Sequence, residues 1–538
     1  MKNRSVRSPL LLSLISGILF WLAWPHYGFA PLIFIAWVPL LLAERMVSAD
    51  ERGKKGLRIF GLAYFAFLIW NGLTTWWIWN ATPGGAVMAL LTNSLLMALV
   101  FLFYHLAKRR LGEKWGWAIL TCFWISFEYF HMHWDLSWTW LTLGNVFAKN
   151  YNWVQWYEYT GAFGGSLWVL TINFVIMSGL AEDATVRLGS SWKKIAFAFV
   201  LFVIPVAISI GIGAEATNMD RFSDYSGKNI VIVQPNIDPY NEKFAGDFQG
   251  QLEKMLDLAE QKIDASTEYL IFPETALQED IWENDLEHTY SMHRLREFIK
   301  KYPRVKIIVG ASSAKSYDTR ERPTLTARKF VLDEGYYDAF NTAFQVDSSG
   351  NIQVYHKSIL VPGVEKMPFP AVLGFLEDYA ISLGGTSGSL AGQEERSVFV
   401  SPDGKMKVAP IICYESVYGE YVTEYVKNGA QLLVIITNDG WWGNSPGYHQ
   451  HMMYASLRAI ETRRCIARSA NTGISCFINE RGDILQPTSW WEPAVIKDQL
   501  VLGTGLTFYV RHGDYIARVA VFFAIVLVLL SFYKLYKR

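Results

Sequence analysis

Three polar side chains stand at the ends of apolar runs in the second half of the chain. Glu274 closes YLIFPE, Lys357 closes IQVYHK and Cys413 closes KVAPIIC. If these runs are strands of one α/β sheet, their ends converge at the edge where such sheets carry their sites. A carboxylate can take the proton of a thiol, and an ammonium can stabilise the thiolate and then the oxyanion of a tetrahedral intermediate. Together the three residues predict acyl transfer with Cys413 as the nucleophile.

Each of the three residues also has a plainer interpretation when it is considered alone. A buried cysteine is usually a small hydrophobic residue. Glu274 could be a carboxylate at a helix N-terminus, and Lys357 a surface lysine of a hairpin. For Cys465 and Cys476 we expect only this role, as small buried residues within strands. No C-x-x-C spacing occurs among the four cysteines, so neither a disulfide framework nor a zinc site is expected.

The runs that carry these residues alternate with segments of helical periodicity. Strands are predicted at 229–234, 269–274, 305–311, 407–413 and 431–438, strand pairs at 341–357 and 465–485, and helices at 250–263 and 451–464. Continuous apolar runs indicate strands that are covered on both faces. The pattern predicts an α/β layered sandwich.

The rest of the chain has the composition of a membrane protein. Of 538 residues, 51% are hydrophobic and 18% are charged, and the zero net charge gives no basic footprint for nucleic acid. A spanning helix needs about 20 apolar residues. Candidate spans lie at 8–24, 29–45, 58–79, 85–107, 116–131, 165–182, 194–213 and 515–533. We therefore predict a bundle of seven transmembrane helices at 1–213, a globular domain at 214–514, and a transmembrane helix with a tail at 515–538.

Lysine and arginine alternate between the loops that join these spans. They are concentrated at 2–7, 52–58, 108–114, 187–194 and 534–538, and they are absent from the loops at 25–28 and 80–85. By the positive-inside rule, both termini lie in the cytoplasm and the 214–514 segment lies on the opposite side, the periplasm of a bacterium. Glu128 is the main charged residue expected inside a span, with Asp135 just beyond it.

The motifs around the three polar residues resemble those of a known family. FPET, HKSILVPGVEKMPF and CYES, in that order, look like the Glu-Lys-Cys signature of the nitrilase superfamily. The membrane frame, the long segment from NDGWWGNSPGYHQ to NERGDI and the later TGLTFYVRHGD resemble bacterial apolipoprotein N-acyltransferases. The resemblance covers nearly the whole chain and is weakest in the first 200 residues. It implies a nitrilase-type α-β-β-α sandwich attached to about eight transmembrane helices in the bacterial inner membrane.

The resemblance also implies a role for each matching residue. Glu274 is the general base, Lys357 the oxyanion-stabilising cation, Cys413 the nucleophile, Glu365 a second glutamate that orients them, and Tyr414 and Glu415 the pair beside the cysteine. The family moves an acyl chain from a phospholipid to the cysteine as a thioester. The chain then passes to the free α-amino group of the diacylglyceryl-cysteine of a lipoprotein, the last step of lipoprotein maturation. The implied partners are thus a phospholipid donor, a diacylated apolipoprotein acceptor and the bilayer, with no cofactor and no metal.

Several positions depart from the family or have an open alternative. Pro235 stands where glycine is common, and Val364-Glu365-Lys366 stands where the family often has Gly-Glu-aromatic, a departure that bears on the lid around 366–390. Candidate lipid contacts are Phe244 (near a usual tryptophan), Phe369, Leu373, Phe375, Trp441 and Trp442, with loop packing as the alternative. Glu365 could form a loop salt bridge, and Glu415 could accept hydrogen bonds from backbone amides. For His449 and His451 we expect packing at a helix entry.

Two other functions compete with the transferase hypothesis. A membrane-tethered amidase acting on a small amide would use the same three residues, although the apolar spans and loops favour a lipid substrate. A transporter or receptor would use the globular domain only to bind a ligand, and then Cys413→Ala would leave its function intact. The scarcity of charge within the spans argues against an ion pathway.

Overall fold

The computed structural model of the chain describes residues 8–182, 188–216, 223–243, 246–331, 334–369 and 389–537. The chain divides into two compact units. The helical unit consists of Met1–Glu215 and His512–Arg538, and the globular unit consists of Ala216–Arg511.

The helical unit is built from apolar helices, all of them long except the four-residue α4. They are α1 (Pro9–Ala23), α2 (Ile33–Ala49), α3 (Lys55–Thr75), α4 (Ile78–Ala81), α5 (Pro83–Leu111), α6 (Gly116–His131), α7 (Tyr157–Glu182), α8 (Leu188–Ala216) and the C-terminal helix Tyr515–Tyr536. Among the described residues, six segments are long and apolar enough to cross a membrane: Ala30–Ala49, Lys55–Thr75, Pro83–Leu111, Tyr157–Leu180, Trp192–Glu215 and Tyr515–Tyr536. The predicted spans at 8–24 and 116–131 correspond to the shorter helices α1 and α6, so the count of eight stays a prediction.

The helical unit buries more charge than the sequence predicts. Glu44 of α2 is 1% exposed and lies 2.5 Å from Lys108 Nζ and 2.6 Å from His105 Nδ1 of α5. Glu128 accepts hydrogen bonds from Trp124 Nε1, the Leu143 amide and the Ser166 hydroxyl. The expectation that Glu128 is the main charge inside the spans was therefore wrong, because Glu44 of α2 is buried as well and is paired with Lys108 of α5.

The globular unit contains two sheets. The strands are β1 (Ser223–Gln234), β2 (Thr267–Ile271), β3 (Leu277–Trp282), β4 (Lys306–Tyr317), β5 (Arg328–Lys329), β6 (Tyr336–Val346), β7 (Ile352–His356), β8 (Phe399–Val400), β9 (Lys407–Ile412), β10 (Leu432–Thr437), β11 (Ile466–Ala470), β12 (Cys476–Ile478), β13 (Ile484–Leu485) and β14 (Ala494–Gly503). The first sheet has the order β14-β1-β2-β4-β6-β5, with β3 on β4 and β7 on β6, and the second has the order β13-β12-β11-β10-β9-β8. Parallel pairing of β1, β2 and β4, and of β9, β10 and β11, directs their carboxyl ends to common edges.

Helices cover the outer face of each sheet. Helices α9 (Phe248–Glu260) and α10 (Tyr290–Lys301) pack on the first sheet around a core that includes Val231, Leu256, Leu270, Met292 and Phe298. Helices α11 (Gly419–Lys427) and α12 (Pro446–Thr462) pack on the second sheet, and α13 (Phe508–His512) follows β14. Strands β1 and β11 lie against each other between the sheets, where the Ser469 hydroxyl donates to the Val233 carbonyl over 2.9 Å. The resulting α-β-β-α order confirms the predicted sandwich.

Candidate active site

Glu274 is placed by the loop that follows β2. The Gly310 amide of β4 donates to the Pro273 carbonyl over 3.1 Å, and the Ala276 amide donates to the Gly310 carbonyl over 2.8 Å. A Cβ at Gly310 would lie 2.6 Å from Glu274 Cα. Only glycine therefore lets the loop approach β4 closely enough to carry Glu274 inward.

Four residues of the first sheet and its loops form what we call the carboxylate–lysine cluster: Glu274, Asn341, Lys357 and Glu365. Lys357 Nζ lies 3.2 Å from Glu274 Oε1 and 2.8 Å from Glu365 Oε1. Asn341 Nδ2 donates to the same two oxygens over 2.7 and 3.0 Å. The structure thus brings together two of the three predicted catalytic side chains and the second glutamate.

Lys357 is the charged centre of this cluster, and its side chain is 1% exposed. Burial alone would lower the pKa of its ammonium, but Glu274, Glu365 and Cys413 raise that pKa well above the usual value. Lys357 therefore stays protonated. It can stabilise negative charge, but it cannot act as the base.

Cys413 follows β9 directly and opens a short 3-10 helix, Cys413–Val417. Its φ of 51° lies in the left-handed region, which is costly for a residue other than glycine and turns the chain sharply after the strand. The residue is half-buried. Burial and the charge of Glu274 raise the pKa of the thiol, while Lys357 and a hydrogen bond from Thr437 lower it. Because the pKa stays above its ordinary value, Cys413 rests as a thiol, and it would need a base to act as a nucleophile.

A second set of buried polar residues, which we call the support cluster, consists of Ser416, Asp439, His451 and Arg468. His451 Nδ1 lies 2.9 Å from Asp439 Oδ1, and Arg468 Nη2 lies 2.6 Å from Asp439 Oδ2. The other ring nitrogen of His451 lies 3.2 Å from the Cys413 carbonyl, and Ser416 Oγ donates to that carbonyl over 2.7 Å. Burial would raise the pKa of Asp439, but Arg468 and His451 hold it well below its usual range. The cluster therefore fixes the main chain that presents the nucleophile.

Sequence reasoning missed Asp439 and Arg468 and assigned His451 to helix-entry packing. Asp439 is separated from the end of β10 by one residue, close to the position that Cys413 has after β9, and this position was a usable signal. Arg468 is a charged residue in the middle of the buried strand β11, so it requires a buried partner.

Glu415 joins the loop of the nucleophile to the loop of the lysine. One of its oxygens accepts from the Ile412 amide over 2.8 Å, and the other accepts from the Ser358 amide over 2.6 Å. The hydroxyls of Tyr355 and Tyr421 also donate to it. These bonds favour the alternative in which Glu415 is an acceptor for backbone amides. Tyr414 is buried, with its ring 5.2 Å from that of Tyr418.

Three of the six candidate lipid contacts can be located in the structure. Trp441 and Trp442 are half-buried in the loop after β10, and the Tyr240 hydroxyl donates to the Trp441 carbonyl over 2.7 Å. Phe369 is exposed, with a φ of 50°. Phe244, Leu373 and Phe375 lie outside the described residues.

Comparison with known proteins identifies the family. Residues 229–505 match the carbon-nitrogen hydrolase family, and residues 16–175 match the apolipoprotein N-acyltransferase N-terminal domain. The apolipoprotein N-acyltransferase of Chlorobaculum tepidum is 30% identical over 98% of this chain and 97% of its own length. That of Geobacter metallireducens is 27% identical over 98% and 96%. Among solved structures, Saccharomyces cerevisiae Nit3 of the nitrilase superfamily aligns with 51% of this chain and 90% of its own, at 14% identity and a TM-score of 0.38. The chain belongs to the apolipoprotein N-acyltransferase family and carries a carbon-nitrogen hydrolase domain.

Proposed function

We propose that this chain is an N-acyltransferase that forms an acyl thioester on Cys413. The acyl chain comes from a phospholipid and goes to the free α-amino group of the N-terminal S-diacylglyceryl-cysteine of a lipoprotein. The observation that carries the proposal is the 30% identity, over almost the whole length, to a relative that is an apolipoprotein N-acyltransferase. The charge of Glu274 also shifts the pKa values of both Lys357 and Cys413, which supports the grouping of the three residues.

In the first half-reaction, Cys413 Sγ attacks the ester carbonyl of the phospholipid while Glu274 takes the thiol proton. The raised pKa of Cys413 makes this base necessary. The ammonium of Lys357 stabilises the oxyanion of the tetrahedral intermediate. When the intermediate collapses, the ester C–O bond breaks, the lysophospholipid alkoxide takes the proton from Glu274, and the thioester remains.

In the second half-reaction, the neutral amine of the acceptor attacks the thioester carbonyl. Glu274 accepts a proton from the attacking nitrogen, the C–S bond breaks, and the proton returns to the Cys413 sulfur. Glu365 contributes by holding the lysine, because its oxygen lies 2.8 Å from Lys357 Nζ. The cycle restores every group without a cofactor.

The membrane arrangement is part of the proposal. Seven spans in 1–213 and one in 515–538 would place both ends in the cytoplasm and the 214–514 domain in the periplasm of a bacterial inner membrane. The alternation of lysine and arginine between loops supports this topology. Phe244, Phe369, Leu373, Phe375, Trp441 and Trp442 would then offer aromatic and aliphatic surface to the acyl chains.

The test is a turnover assay with detergent-purified protein, a defined phospholipid and a diacylated lipopeptide with a free N-terminus. We expect a mass gain of one acyl chain on the lipopeptide and release of lysophospholipid in equal amount. The matched acceptor is the same lipopeptide with an acetylated N-terminus, which should gain nothing. Hydrolysis of small amides without any transfer would overturn the proposal in favour of an amidase.

A further inference from the structure

A second lysine is buried beside the carboxylate–lysine cluster. Lys243 lies in the loop after β1, is 4% exposed, and donates through its ammonium to the Thr275 hydroxyl. Thr275 is the residue that follows Glu274. A cavity of about 10 Å³ is lined by Lys243, Glu274 and Thr275, among others, so the second lysine and the proposed base border the same small cavity.

The main chain around Lys243 is held in place on both sides. Its amide donates to the Asp238 carbonyl over 2.9 Å. Gln251 of α9 donates to the carbonyls of Glu242 and Lys243 over 3.0 and 3.3 Å. Glu242 itself lies 3.7 Å from Lys254 Nζ, so it is paired elsewhere. The loop therefore fixes Lys243 in its buried position.

Lys243 adds a second ammonium beside a pair of carboxylates. Glu274 and Glu365 share the single ammonium of Lys357, so a second cation is needed to balance the site when both carboxylates are ionised. An uncompensated buried charge is strongly unfavourable. Burial lowers the pKa of Lys243 to about 8, and the charges of Glu274 and Cys413 are the ones that act to raise it. Lys243 thus interacts electrostatically with both the proposed base and the proposed nucleophile.

We propose that Lys243 is a positioning residue of this site, one that anchors the Glu274 loop through Thr275 and supplies its second positive charge. The proposed base is then held in place, and negative charge on Cys413 develops near two ammonium groups instead of one. The acylation part of this inference rests on the proposed function, whereas the effect on the thiol does not.

The first test measures alkylation of Cys413 by iodoacetamide against pH, followed by peptide mapping, in the full-length protein. We compare Lys243→Met, Lys243→Arg and, as a matched control, Lys405→Met at an exposed lysine. In K243M, loss of the ammonium should raise the thiol pKa, which slows alkylation at a fixed pH by about tenfold for each pKa unit. K243R should stay close to the wild type, and K405M should equal it. A K243M profile that coincides with the wild type would overturn the inference.

The second test measures single-turnover acylation of the same proteins together with Thr275→Val. T275V removes the hydroxyl that accepts from Lys243 and keeps the branched shape, so slower acylation with an unchanged melting temperature is the expected result. If K243M does not fold, the inference is tested with T275V and K243R alone. Acylation of T275V at the wild-type rate would then overturn the inference. A wild-type protein that is alkylated but never acylated would refute the proposed function and leave the alkylation comparison as the test of Lys243.

Discussion

The carboxylate–lysine cluster and the support cluster are both buried and charged, but they contact Cys413 differently. In the first cluster, the charges of Glu274 and Lys357 act on the thiol itself. In the second, His451 and Ser416 contact the carbonyl of Cys413, and the fully buried Asp439, which is paired with Arg468, adds a smaller charge effect that raises the pKa of the thiol. We propose from this difference that the first cluster performs the chemistry and that the second holds the main chain. Substitutions in the first cluster should therefore lower activity more than stability, and substitutions in the second should lower stability more than activity.

The largest effect on activity is expected for Glu274→Gln. The amide keeps the shape and can still accept from Asn341, but it cannot take the thiol proton, so acylation should fall by about 10²–10⁴-fold. The measurement is the rate of acyl-enzyme formation, with Glu287→Gln at an exposed salt bridge as control. A rate within a factor of about two of the wild type would remove Glu274 from the mechanism, because general-base loss is far larger.

Asp439→Asn should give the largest loss of stability. The change leaves Arg468 buried without its carboxylate, and breaking such a pair costs about 3–5 kcal/mol. Acylation per folded molecule should fall less than in E274Q. Thermal unfolding in detergent measures the first quantity and intact mass the second. An unchanged melting temperature would contradict the assignment of Asp439 to the support cluster.

The same carboxylate predicts an acid dependence of stability. Because Arg468 and His451 lower the pKa of Asp439 in the folded state, its contribution is complete above the unfolded value of about 4 and is lost as the pH falls below it. Unfolding free energy of the wild type should therefore decline below about pH 4 more steeply than that of D439N. Parallel curves would show that the pair contributes nothing to this dependence.

Glu415→Gln should have an intermediate effect. In either orientation of the glutamine side chain, its NH₂ group faces the backbone N–H of Ile412 or that of Ser358. A donor then meets a donor, and one hydrogen bond is lost. One unmade buried hydrogen bond costs about 1–3 kcal/mol, and the two loops should loosen. Melting temperature and acylation rate should both fall, each by less than in D439N and E274Q respectively. A loss of activity as large as that of E274Q would mean that Glu415 takes part in the chemistry.

The smallest effect is expected for Cys476→Ala. Cys476 lies fully buried in β12, and burial raises the pKa of its thiol to about 12. Deleting one buried group costs about 0.5–1.5 kcal/mol, and the acyl adduct should form as in the wild type. A missing adduct in C476A would show that the wrong cysteine has been assigned.

Glu274 and Lys357 could be predicted because each ends or follows an apolar strand and strand ends meet in space, whereas Glu365 was found only through the resemblance of its loop to the family. Glu415 was found, but its role was left open, since a sequence does not show which amides a carboxylate will meet. The turn at Cys413, with its left-handed φ, was not predicted, because the apolar run that precedes it carries no signal for such a turn.

Residues that act through the main chain were harder to find. Lys243 gave no signal, since a lysine in a polar loop is usually solvated. Helix α12 begins at Pro446 and not at the predicted residue 451, because Ser445 caps it and a proline occupies its first position. Recognising that cap would have placed His451 inside the helix, facing the sheet that carries Asp439.

The most direct test of the central claim is the intact mass of the purified protein after incubation with a phospholipid of defined acyl chains, beside Cys413→Ala. The account predicts a mass gain of one acyl chain in the wild type, removed by hydroxylamine, mapped to the peptide that contains Cys413, and absent from the variant. A folded wild-type protein that gains no acyl chain, or a C413A variant that gains one, would contradict it.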